Sequence, residues 1–315
     1  MSSYLIPYPG VATPTFRGST LIYPQPSLAS LAQLAADLVL WNSDWNLVGY
    51  VGLQDFVPAV GGKDSLPSTS SSSSQAVPEG FAFGVEVYQH TTLNLTLVFP
   101  RSPVIRARRP HHLEAIKQWT QEAGFETVLV VAGVDAGLRG DEALLSSTPL
   151  RHYLPSSSSS ASSTPVLTRL SSLIPSYISS SSSSATSTSR LPLFPHSGLT
   201  RKLLETFSPS SSESEKAPHI AALTIYTAEG DASEGAFLLA EVLSEVLGLP
   251  LASGGGGGVE GVEEKVGEMN LDSGAEVGEE EGTRRKRREW KTPKSWEKGL
   301  MGIELGREVG AEMYG

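Results

Sequence analysis

Thr20-Leu21-Ile22-Tyr23-Pro24 opens the stretch, Thr20 to Gly62, whose reading decides the fold. Thr20 to Tyr23 is a short β-prone run stopped by Pro24, and Ser27 is placed to cap a helix. From Leu28 the apolar positions Leu28, Leu31, Leu34, Ala35 and Leu38 follow the spacing of one helical face. Asn42 to Asn46 breaks the pattern, and Leu47-Val48-Gly49-Tyr50-Val51-Gly52-Leu53 follows as an almost continuous apolar strand. Strands covered on both faces read this way, as in parallel sheets beneath helices. The expected unit is a right-handed βαβ crossover. Its loop, Gln54 to Gly62, leaves the carboxyl end of the second strand, where open α/β sheets bind ligands and partners.

Working outward, the same alternation of strand and helix recurs. Phe81 to His90 and Leu93 to Phe99 alternate around Thr91-Thr92 and predict a hairpin, with Phe83, Val85 and Val87 on one side and Glu86 and Tyr88 on the other. Arg101 to Arg109 carries four arginines and reads as a solvated loop. Pro110 suits the first turn of a helix through Leu113, Ile116 and Trp119 that closes at Gly124. Thr127 to Gly133 and His219 to Ala228 are buried strands. Gly198 to Glu205 is helical, and so is the stretch holding Ala236, Leu239, Ala240, Leu243, Val246 and Leu247 before Gly248. Asp231 and Glu234 suit the positive end of that last helix. Ser146 to Leu154, taken on its own residues, reads as a turn followed by a short helix. The fold class expected is α/β, a layered sheet with helices on both faces.

Four low-complexity segments interrupt this pattern, at about 63–79, 155–190, 208–218 and 251–289. Their Ser, Gly and charged residues bury too little apolar surface to offset ordering. The expectation is one domain over 1–315 with these as inserts, an apolar island at Leu167 to Ile178 included, and a flexible tail at 306–315.

Composition narrows the function classes. The 315 residues are 39% hydrophobic and 18% charged, with net charge −10, so a nucleic-acid footprint is not expected. There is no cysteine, which excludes disulfides, thiolate metal sites and thiol nucleophiles. Met1-Ser2-Ser3-Tyr4 shows no signal-peptide pattern, and no apolar run reaches the length of a membrane span. The expected location is the cytoplasm, the nucleus or both, with no membrane partner. Arg284-Arg285-Lys286-Arg287-Arg288 is either a nuclear address or a charge block balancing the acidic residues before it.

No catalytic constellation emerges. The Gly-x-Ser-x-Gly elbow is missing, and the five glycines at 254–258 are not followed by Gly-Lys-Ser/Thr. His111 and His112 are adjacent, whereas helical metal ligands need a spacing of three or four. No catalytic, cofactor or metal residue is therefore assigned. Two readings compete with a binding role: a small-molecule enzyme on a nucleoside-phosphorylase-like sheet, with Gln54 to Gly62 as its pocket, and a phospho-regulated scaffold acting through the serine tracts.

Several segments together resemble the proteasome assembly chaperone 2 family. They are Gly18-Ser19-Thr20-Leu21, Gln33 to Leu38, Val48-Gly49-Tyr50 and Val57 to Gly61, then Ser146-Ser147-Thr148-Pro149-Leu150-Arg151-His152-Tyr153-Leu154. Gly198 to Glu205, Glu229-Gly230-Asp231 and Trp290-Lys291-Thr292-Pro293-Lys294-Ser295-Trp296 complete the set. The resemblance implies an α/β layered fold and a non-enzymatic chaperone without cofactor. It also implies pairing with proteasome assembly chaperone 1 on the α-subunit ring of the 20S core particle, where the pair promotes assembly and prevents α-ring dimers. The chain ends Met313-Tyr314-Gly315, a hydrophobic-Tyr-X motif. In the resemblance these three are the partner-binding residues, entering a pocket between adjacent α-subunits: a carboxylate for a lysine, a phenol at the mouth and an apolar side chain on the wall.

Overall fold

The structure, a computed structural model, describes residues 4–11, 14–62, 81–140, 144–155, 164–177, 191–208, 217–230, 232–250, 290–293 and 296. In chain order the elements are β1 (Leu5–Pro7), β2 (Thr20–Pro24), α1 (Leu31–Asn42), β3 (Trp45–Val51), β4 (Val60–Gly62), β5 (Phe81–Phe83), β6 (Val85–His90) and β7 (Leu95–Pro100). There follow α2 (Arg109–Ala123), β8 (Thr127–Asp135), β9 (Leu150–Tyr153), α3 (Pro165–Leu173), α4 (Thr200–Phe207), β10 (His219–Thr227) and α5 (Ser233–Leu247). Eight strands form one mixed sheet in the order β1-β3-β6-β7-β2-β8-β10-β9, and β4 and β5 make a separate antiparallel pair. The middle, β7-β2-β8-β10, is parallel, and antiparallel strands complete both sides.

The α/β expectation holds, with helices on both faces. Along β2 the side chains alternate: Ile22 joins the core beneath α1, α3 and α5, while Leu21 and Tyr23 join the core beneath α2 and α4. The strands β8 and β10 do the same, Leu129 and Leu223 facing one way and Val128 and Ala222 the other. Each large apolar side chain fully withdrawn from water contributes about 1.5–3 kcal/mol. α2 begins with Pro110 in its first turn and closes at Gly124, as expected, and α5 closes at Gly248.

The opening unit differs from its reading in three respects. β3 runs in the same direction as β2, but β6 and β7 lie between them, and the neighbours of β3 are both antiparallel. Its apolar run is not buried on both faces, since Asn46 is exposed and Leu47 and Tyr50 are half-buried. Ser27 caps no helix. Leu28–Ser30 is a 3-10 turn, Ala29 and Ser30 have positive φ, and α1 starts at Leu31. The Ser27 hydroxyl instead accepts from Gly133 N–H at 2.9 Å. β2 stops pairing with β8 at Pro24–Val131, and Gln25 N–H reaches Val131 O, so Ser27 serves the next donor on that side of β8.

Four further readings change. Phe81 to His90 is two strands broken at Gly84, and Phe83 is exposed. Glu86 faces the core, where Arg101 Nε and Tyr88 Oη donate to Oε2 at 3.0 and 2.9 Å. The arginine run is thus no solvated loop: Arg101 also lies 3.5 Å from Asp37, and Arg108 is bound to buried Asp55. Ser146 to Leu154 yields the edge strand β9, because Leu150 to Tyr153 pair with Ala222 to Ile225 of β10. The apolar island inside 155–190 is α3, not insert. Thr164 caps it, Pro165 starts it, and Val166, Leu167, Leu170 and Ile174 are buried in the core shared with α1 and α5. The remainder of the four low-complexity segments lies almost wholly outside the described residues. No helix among the described residues is long and apolar enough to cross a membrane.

Candidate interaction surfaces

Met313, Tyr314 and Gly315 lie outside the described residues, as does the basic run 284–288. The described chain resumes near its end, at 290–293 and 296. Trp296 is 3% exposed within the layer of α1 and α5, its ring 6.1 Å from that of Phe237 on α5, and Trp290 packs on the same core. Asn42, the last residue of α1, holds the returning chain by its backbone. Asn42 Oδ1 accepts from Lys291 N–H at 2.9 Å, and Asn42 Nδ2 donates to Lys291 O at 2.8 Å. The same Nδ2 donates to Leu38 O. One amide thus closes α1 and fixes a segment 249 residues away. Nothing local in the sequence signals this clamp.

The loop Gln54 to Gly62, read as a ligand pocket, is organised inward. Asp55 is fully buried, and its carboxylate accepts from Arg108 Nε at 3.0 Å and lies 2.9 and 3.0 Å from His111 Nδ1. Behind it His112, fully buried, stands between two tyrosines, Tyr4 Oη at 3.0 Å from Nδ1 and Tyr23 Oη at 2.8 Å from Nε2. A neutral imidazole has one donor and one acceptor, so one hydroxyl donates to the ring and the other accepts from it. Burial pushes the His112 pKa down to about 4, partly offset by Asp55, and this keeps the ring neutral at pH 7. Burial likewise raises both tyrosines. Gly52 completes the lock: its φ is +55°, and a Cβ there would lie 2.6 Å from Tyr4 Oη. The cluster joins the N-terminal segment, β2, α2 and the loop after β3. It is built for structure, since its carboxylate faces arginine and histidine rather than solvent. Among the described residues no group of three or more His, Cys, Asp or Glu could hold a metal.

The exposed part of the same loop has a different character. In β4 and β5, Val60 pairs with Phe83, so these two and Phe81 share one face. Phe81 is 68% and Val60 64% exposed, and Phe83, Val57 and Ile6 are also exposed. Tyr50 connects them: its ring is 5.3 Å from Phe83, it pairs with Ile6 across β1–β3, and Tyr8 stands 6.3 Å away. The result is a contiguous aromatic and aliphatic face at the β1 edge of the sheet. Exposed apolar patches of this kind mark protein, membrane or ligand contact sites on folded proteins. The alternation Phe81-Ala82-Phe83 is the signal available in the sequence, but periodicity does not say which side meets water.

At the other edge, Arg151 of β9 turns inward. Its Nη1 donates to Thr148 O at 2.7 Å and Leu150 O at 2.5 Å, and the guanidinium lies 5.8 Å from the Tyr226 ring. His152 N–H bonds Pro175 O and Tyr177 N–H bonds His152 O, so the segment after α3 covers this edge. Of the two edges, it is the β1 side that presents aromatic side chains to solvent beside a short outer strand.

No family model matches the chain. Over 145 residues, 46% of the chain, it is 30% identical to proteasome assembly chaperone 2 of Danio rerio, of which 53% is covered. It is 29% identical over 151 residues to the protein of the same name from Nematostella vectensis, covering 47% of this chain and 59% of that one. Against the Homo sapiens protein the values are 27% over 145 residues, 46% and 52%. The family resemblance is borne out. The match spans about half the length of these curated relatives. Among solved structures, the chain is similar to Pyrococcus furiosus PbaA, described as an archaeal homolog of proteasome-assembly chaperone. Identity there is 18% and the TM-score 0.49, over 76% of this chain and 86% of that one. It is also similar to Pyrococcus furiosus PbaB, described as an archaeal proteasome activator, with identity 13%, TM-score 0.45 and coverage of 78% and 89%. Similarity at that level is no guide to function.

Proposed function

We propose that this protein is a proteasome assembly chaperone. It pairs with proteasome assembly chaperone 1, and the pair binds the α-subunit ring, promotes 20S core particle assembly and prevents off-pathway α-ring dimers. Met313, Tyr314 and the Gly315 carboxylate enter a pocket between adjacent α-subunits. The observation that carries this reading is the shared similarity to relatives all named proteasome assembly chaperone 2. Two structural features support it. The apolar face around Phe81 is suited to a protein partner, and the C-terminal segment is held on the α1–α5 layer shortly before the motif. The protein acts in the cytoplasm, the nucleus or both, without catalysis. A small-molecule enzyme with its pocket at Gln54 to Gly62 is disfavoured, because the loop's one carboxylate, Asp55, is buried and bound to Arg108.

The test is recovery of α-ring subunits by the chain co-expressed with proteasome assembly chaperone 1, compared with a version lacking Met313 to Gly315. Recovery by the intact chain and weaker recovery by the truncation are expected. Equal recovery removes the tail mechanism while leaving the chaperone role. No recovery by either removes the chaperone role. A parallel fluorescent fusion lacking Arg284 to Arg288 tests nuclear entry, which the basic run is expected to drive.

A further inference from the structure

Asn42 and Trp296 sit where the folded body hands over to the end of the chain. α5 and its cap are followed by 251–289, and Trp290 then packs on the α1–α5 layer. Without the contacts made there, the motif at 313–315 is tethered from Pro250, through everything from 251 to 312. With them it is tethered from Trp296, through 297–312 alone. A tether of that shorter length extends to at most about 60 Å.

The attachment is made in two ways. Asn42 reads no side chain: its amide engages both the N–H and the C=O of Lys291, which fixes the direction of the chain at that point. Trp296 is then buried beside Phe237, and a turn, Trp296 N–H to Pro293 O at 3.0 Å, brings it round from the clamp. Asn42 does not need Lys291 to finish its helix, because Nδ2 already donates to Leu38 O. The pair of hydrogen bonds to Lys291 serves the returning segment.

We infer that Asn42 and Trp296 are positioning residues for the C-terminal motif, setting a launch point on the α1–α5 layer that starts its tether at Trp296 instead of Pro250. This rests on the tail reading above. A tethered ligand's effective concentration falls roughly as the −3/2 power of tether length. Releasing the anchor lengthens the tether roughly fourfold, so engagement weakens about eightfold.

The experiment measures binding of a purified proteasome α-ring by the full chain with its chaperone partner. Four variants are compared with the parent: a deletion of 313–315, Asn42→Asp, a release variant with Asn42→Ala, Trp290→Ala and Trp296→Ala together, and that release variant also lacking 251–289. Asn42→Asp keeps the shape, removes the donor to Lys291 O and gives an intermediate loss. The release variant approaches the roughly eightfold loss expected from the lengthened tether. Removing 251–289 from the release variant leaves only 290–312 between Pro250 and the motif. That restores most of the binding, which a purely structural defect would not permit. If the deletion of 313–315 binds like the parent, the tail reading falls and the anchor has nothing to position. If that deletion weakens binding but the release variant does not, the anchor inference alone is overturned. Loss in the release variant without rescue by the shorter tether overturns it equally.

Discussion

His112 shows how one side chain ties this fold to pH. Its two nitrogens are taken by Tyr4 and Tyr23, and burial holds its pKa at about 4 against an ordinary value of 6.5. The folded protein therefore binds fewer protons at this site than the unfolded chain between those values, and stability falls as pH drops through that window. Between pH 7 and pH 5 the loss from this ring is about 2 kcal/mol. His112→Gln, which can donate and accept without titrating, removes that part of the pH dependence; urea unfolding at the two pH values measures it. An unchanged difference would mean that another group carries the acid sensitivity. Glu86 and Arg101 provide a second residue-scale case. Burial acts against the Arg101 charge, but Asp37 and Glu86 outweigh it and raise its pKa. Arg101→Met leaves a buried carboxylate without its cation and costs about 3–5 kcal/mol, whereas Arg101→Met with Glu86→Gln costs much less. Equal losses in the single and double variants would show that the cost lies in packing over Phe99 rather than in charge.

Among the elements, α3 departs furthest from what its surroundings suggest. Its nine residues lie between serine tracts, yet Leu170 is fully buried in the larger core, and Thr164 caps the helix. Leu170→Ala is expected to destabilise the domain by about 2–5 kcal/mol, a core-cavity cost measurable by urea unfolding. A cost near zero would return α3 to the status of an insert. What can be read from the chain divides along the same physical lines. β8, β10 and α5 are legible because their apolar periodicity is long and their ends carry glycine or turn residues. α3 is hidden by composition, since flanking serines dilute a short amphipathic run. β3 misleads because all its residues except Asn46 are apolar, aromatic or small, which resembles a doubly covered strand, while its exposed positions depend on which strands lie beside it. The Asp55 cluster and the Asn42 clamp are not legible at all, being made by residues 53 to 249 positions apart. Ser27 is legible as a capping side chain in want of a donor, but the donor comes from β8 rather than from a helix.

For the molecule as a whole, the question is which side meets a partner. The two edges of the sheet are unlike. At β9 the segment after α3 supplies backbone hydrogen bonds and closes the edge, whereas at β1 a three-residue strand ending in Pro7 carries exposed Ile6 on the side of Tyr50, Phe83, Val60 and Phe81. Proline and shortness discourage further strand pairing there, so a partner on this side would be held mainly by side chains. Phe81 and Val60 are largely in water already, and replacing them removes little of the folded protein's own core. Phe81→Ser with Val60→Ser is therefore expected to change unfolding free energy by no more than about 0.5 kcal/mol. The same pair should lower recovery of co-expressed proteasome assembly chaperone 1 by roughly tenfold or more, as loss of central apolar anchors does at interfaces. Co-purification on a tag carried by this chain, with unfolding measured in parallel, separates the two effects. Undiminished recovery with unchanged stability would move the heterodimer surface away from the β1 edge. It would also leave the α2–α4 side, where Arg108 and His111 meet Asp55, as the next surface to alter.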